Sequence, residues 1–292
     1  DPRDIPSLSS FFAWRQSYKR YRAAHVGYHC GTSRRLRGIR GYTVNVWANE
    51  PLRPRLGALA EDIIRHEPAG FLDLWDGFPS VIFDSYQAWI TAQQAEPTRA
   101  MEGGLSIDPD WTYSHGCHVF DGLPDRPGEF RSYHLRMNEH IVLPVERPER
   151  KLTKLVLFFK RKANLREFDF ERQVLTAYAP TLARLPGLHG CLLNFRDPDQ
   201  EAAFRGYYPD TAWWSSAEGY AMRRQFCSMW DGAFELLFDS VDAFVAARGR
   251  AEMHVSLGAL ERELFDANWY VEVDENIIVM PNRDPAPAFY YR

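Results

Sequence analysis

His29-Cys-Gly-Thr-Ser-Arg-Arg-Leu-Arg-Gly-Ile-Arg-Gly-Tyr-Thr-Val-Asn45 lies without gaps over Tyr178-Ala-Pro-Thr-Leu-Ala-Arg-Leu-Pro-Gly-Leu-His-Gly-Cys-Leu-Leu-Asn194. Identities fall at Thr32/Thr181, Arg35/Arg184, Leu36/Leu185, Gly38/Gly187, Gly41/Gly190 and Asn45/Asn194. Two further echoes follow in the same order. Trp75-Asp-Gly and Phe83-Asp-Ser85 recur as Trp230-Asp-Gly and Phe238-Asp-Ser240, with five residues between the triplets in both copies. Met137-Asn-Glu-His-Ile-Val-Leu-Pro144 answers Val273-Asp-Glu-Asn-Ile-Ile-Val-Met280. Three ordered matches point to a duplicated unit rather than to chance.

Each copy carries the same coarse pattern of elements. In the second, Leu155 to Phe159 is an apolar run bounded by Lys160-Arg-Lys162, which predicts a strand. Phe170, Val174, Tyr178, Leu182 and Leu185 recur at helical spacing until Pro186-Gly187 stops them. Leu188 to Phe195, Trp230 to Phe238 and Trp269 to Met280 read as strands, and Asp239-Ser240 caps a helix through Val241, Phe244 and Val245. The order β-α-β-β-α-β is a split βαβ unit. The first copy repeats it, with a helix over Ser10 to Leu36, strands over Ile39 to Trp47, Asp76 to Phe83 and Phe130 to Leu143, and a helix over Ser85 to Ala95. Its opening strand falls to Asp1 to Leu8 or to residues before them. The charged run Glu146 to Arg150 is the expected linker, dividing the chain into units 1–148 and 149–292.

Such a unit covers one face of its sheet with helices and leaves the other bare, so two sheets are expected to cover one another. The predicted fold is therefore α+β: two tandem ferredoxin-like units whose antiparallel sheets face each other as a barrel within one chain. A single continuous sheet, or halves of different strand order, would make the duplication argument wrong.

Composition bounds the function. Of 292 residues, 45% are hydrophobic and 14% aromatic, which predicts a packed protein with apolar walls suited to an aromatic ligand. The net charge of −4 gives no support to nucleic acid or anionic membrane as partner. There is no run of 18 apolar residues and no signal-like opening, and four scattered cysteines form no CxxC, so the expected compartment is the cytoplasm. Nucleotide-binding glycine motifs and GxSxG are absent. His115-Gly-Cys-His118 alone is too weak to assign a metal site. No metal or other cofactor is expected, with haem or a metal ion left open.

Gly38-Ile-Arg-Gly-Tyr42 with Asn45, Trp75-Asp-Gly77 and Glu139 resemble the EthD family of the dimeric α+β barrel superfamily. The second half resembles it more fully, through Phe159-Lys-Arg-Lys162, Tyr178-Ala-Pro-Thr-Leu182, Leu185-Pro-Gly-Leu188, Asn194, Trp230-Asp-Gly232 and Glu275. The resemblance implies a barrel whose lumen holds the ligand. Its members include cofactor-free monooxygenases, cyclases, dehydratases and isomerases, so fold does not fix reaction. The family's histidine late in the first helix is kept as His29 and replaced by Tyr178, which implies one working pocket centred on the first copy.

His29 is the leading candidate for general base or acid, because imidazole exchanges protons near neutral pH. Tyr178 and His189 are the other catalytic candidates. Arg40, Tyr42, Tyr28, His134 and Tyr270 are expected to bind substrate, on the reasoning that the polar strand phase faces the lumen. The expected function is a cofactor-independent lyase, dehydratase or aldol-cleaving, acting on an aromatic or polyketide-like small molecule. A cofactor-free monooxygenase of aromatic substrates and a non-catalytic binding protein are the alternatives, with homodimerisation left open.

Overall fold

The structure, a computed structural model, describes residues 36–93, 135–203 and 216–281, together with Arg22, Val26, Cys30 and Arg34. Its frame is one antiparallel sheet of seven strands: β1 (Gly41–Trp47), β2 (Gly77–Ile82), β3 (Met137–Leu143), β4 (Thr153–Arg161), β5 (Gly190–Arg196), β6 (Gly232–Phe238) and β7 (Phe265–Val279). Their order is β2-β1-β7-β4-β6-β5-β3. The sheet curls into a half-barrel. Arg136, just before β3, stacks 4.8 Å over the ring of Tyr86, just after β2, so the flanks of its two edges come together.

Every strand read in the sequence and lying among described residues is present. The helix of the second copy runs from Glu167–Gln173 through a π-helical turn, Val174–Tyr178, to Ala179–Leu182. Ser240 caps the helix Val241–Arg248 by accepting from the Ala243 N–H, and Ser85 accepts from the Ala88 N–H at the same distance, 3.1 Å. The stretches 48–72 and 196–229, for which the sequence predicts no element, contain helices: Leu52–Leu56 and Leu59–Ile63 in the first, Gln200–Ala203 and Ala217–Met229 in the second. A helix not expected, Ala251–Leu264, leads directly into β7. No helix among the described residues is long and apolar enough to cross a membrane.

Two facing sheets were expected, and one continuous sheet is found, the outcome set against the duplication. The halves exchange edges: β1 pairs with β7, and β3 pairs with β5. A face-to-face stack would leave four open edges, and lateral pairing satisfies their backbone groups instead. Within the second half the order is β7-β4-β6-β5, that is, fourth strand, first, third, second. The described strands of the first half, β1 to β3, include no partner bridging β2 and β3.

The two junctions match residue for residue. Asn45 sits opposite Glu275 at one, and Glu139 opposite Asn194 at the other. Gly38 and Gly187 both take left-handed φ, +81° and +76°, which costs glycine little. A Cβ on Gly41 would stand 2.7 Å from Pro281 Cα, and one on Gly190 2.8 Å from Val145 Cα.

Strand alternation separates two interiors. Leu155, Leu157 and Phe159 of β4 face the helices, where Phe159 meets Phe170 at 5.8 Å. Lys154, Val156 and Phe158 take the concave face, where Phe158 packs on Trp230 at 5.3 Å and Trp269 at 5.7 Å. Phe71, Trp75 and Phe226 close that aromatic cluster. Burying each such ring contributes about 1.5–3 kcal/mol.

Candidate functional site

Two buried polar clusters stand out, one on each face of the sheet. On the helix-covered face, Tyr178 Oη donates to Glu261 Oε1 at 2.9 Å. Arg248 Nη2 donates to both oxygens of the same carboxylate, at 3.1 and 2.9 Å. Tyr270 completes the group, its phenol interacting with both Arg248 and Tyr178. All four side chains are buried, Arg248 completely.

Local structure explains the convergence. Tyr178 closes the π-helical turn, a distortion common at functional sites, and its ring is clamped between Phe234 and Phe265 at 5.4 and 5.0 Å. Glu261 occupies the apolar phase of its helix, with Met253, Leu257 and Leu264 also buried. Burial raises the Tyr178 and Tyr270 phenols and the Glu261 carboxyl above their ordinary values, the last against the pull of Arg248 and Tyr178.

The concave face holds the second cluster. Lys154 Nζ donates to Asn45 Oδ1 at 3.0 Å and pairs with Glu275 at 3.1 Å and with Glu235. Asn194 donates to Glu235 at 3.0 Å, while Arg147 grips both oxygens of Glu275 at 2.6 and 3.0 Å. Burial opposes charge on Lys154, yet Glu235 and Glu275 outweigh it and raise its pKa. Burial likewise opposes the Glu275 carboxylate, but Lys154 and Arg147 hold it down to about 2.

The expected residues divide accordingly. Tyr178 and Tyr270, from separate positions in the second half, are brought together. Tyr42 does not face the concave side: it packs with Val44 and Val46 against Val26 and Cys30 on the helix side. Tyr270 is on that side too, packed on Phe244 at 5.1 Å. The polar strand phase was expected to face the lumen, and the structure corrects this. The helices of this chain cover polar as well as apolar residues, and charged Lys154, Glu235 and Glu275 sit inside instead. Arg40 pairs with Asp84 at 3.2 Å, and His189 with Asp239 at 2.8 Å, both outside these clusters. His29, Tyr28 and His134 lie outside the described residues, as do His115 and His118. Among the described residues, no three His, Cys, Asp or Glu side chains stand together as a metal site.

Sequence reasoning missed Lys154, Glu235, Glu261 and Glu275 as interior residues. Their signal was a charge lodged in an apolar run: Lys154 before Leu155-Val-Leu-Phe-Phe, Glu235 inside Ala-Phe-Glu-Leu-Leu, Glu261 at the spacing of Leu257 and Leu264.

No family model matches the chain, and no curated protein sequence matches it. Among solved structures, a protein of Fusobacterium nucleatum subsp. nucleatum, provisionally named a monooxygenase, is similar, at 10% identity and a TM-score of 0.43. The match covers 97% of this chain and 90% of that one.

Proposed function

We propose that the chain is an enzyme of proton-transfer chemistry built from two tandem ferredoxin-like units, 1–148 and 149–292, of the EthD kind. The duplication is supported by the matched junctions, Asn45–Glu275 and Glu139–Asn194, and by the paired glycines. Continuity of the sheet is what edge exchange between two related units would produce, although facing sheets were the expectation.

The observation that carries the functional reading is the meeting of Tyr178 and Tyr270 at Glu261 and Arg248. The repeat equates Tyr178 with His29, and Tyr270 with His134. Where the second copy brings two phenols to one buried spot, the first has two imidazoles at the same sequence positions. We assign His29 as general base and His134 as general acid, acting on an aromatic or polyketide-like small molecule. In a dehydration, the base takes the proton α to a carbonyl, and the β-hydroxyl leaves as water after protonation by the acid. Aldol-type cleavage uses the same pair, the base now taking the hydroxyl proton.

The test is turnover against a panel of aromatic β-hydroxy carbonyl compounds, followed together with dissolved oxygen. We expect water elimination or C–C cleavage without oxygen uptake, a bell-shaped pH profile, and a loss of about 10²–10⁴-fold in His29→Ala. Stoichiometric oxygen consumption would replace this reading with the monooxygenase one. Full turnover in both His29→Ala and His134→Ala would remove the assignment altogether.

A further inference from the structure

We draw no further inference here: the strongest candidate, the pair of outer sheet edges of β2 and β3, which meet no bridging strand among the described residues, carries nothing, because nothing in the structure shows what covers them.

Discussion

The two buried ionic clusters are separated by the thickness of one sheet, yet they are organised differently. On the concave face Lys154 and Arg147 meet Glu235 and Glu275, two charges of each sign, and Asn45 and Asn194 fill remaining bonds. On the helix face a single carboxylate, Glu261, takes the Tyr178 hydroxyl and two bonds from Arg248, with the Tyr270 phenol beside them. Glu275 is held below its ordinary range, Glu261 above it. A network that closes on itself has the character of a structural tie, joining β1, β4, β6 and β7. The helix-face group instead hangs two phenols and a guanidinium on one carboxylate. β7 serves both, because its alternate residues Glu275 and Tyr270 point to opposite faces.

If the concave network is a closed tie, cutting its centre should have the largest effect of any single change. Lys154→Met leaves Glu235 and Glu275 buried without their shared ammonium, and one-sided removal from a buried pair costs about 3–5 kcal/mol. Urea denaturation should show the loss as a fall in midpoint at unchanged slope. A cost under 1 kcal/mol would mean that solvent reaches the network, and its reading as a structural tie would collapse.

Acid separates the clusters by sign. The Glu275 carboxyl titrates near 2 in the folded chain against a reference of 4.5. Its contribution is therefore complete above about 4.5 and is lost as pH falls towards 2. That difference amounts to about 3 kcal/mol. Glu261 runs the other way: its raised value means that stability is greatest below the unfolded pKa and declines as pH rises through the folded one. Urea midpoints measured from pH 6 to pH 2.5 should show a shallower acid limb in Glu275→Gln than in the parent, and a steeper one in Glu261→Gln. Equal slopes in the two variants would erase the distinction.

How far the sequence already contained this depends on the kind of residue. The strands among the described residues were legible, because apolar runs, the Ser85 and Ser240 caps, and Gly38 and Gly187 are local signals. Edge exchange was not, because pairing of β1 with β7 spans the chain and no local pattern specifies it. The strand phase was misassigned for a related reason. Polar Tyr42 and Tyr270 were expected to face the lumen, with helices over the apolar phase, yet helices cover them, and which phase a helix covers is a tertiary fact. Tyr178 and Tyr270 were each picked out, but their meeting depends on Glu261, in a helix whose amphipathic spacing at Met253, Leu257 and Leu264 had gone unread. Of the interior charges, Glu235 was the most visible, standing between Phe234 and Leu236.

The smallest effect expected is also the finest probe of the helix-face cluster. Tyr178→Phe keeps the ring between Phe234 and Phe265 and removes only the hydroxyl that donates to Glu261. A hydrogen bond to a charged group contributes about 1.5 kcal/mol at the low end of its range. Glu261 keeps both contacts with Arg248, so no carboxylate is stranded. The loss should therefore stay near that figure, well below that of Lys154→Met, and the acid limb should change little, because the acceptor survives. Thermal denaturation of the two variants beside the parent gives the comparison directly. Should Tyr178→Phe cost as much as Lys154→Met, the phenol would be a keystone of the helix-face cluster, and the contrast with the concave network would be lost.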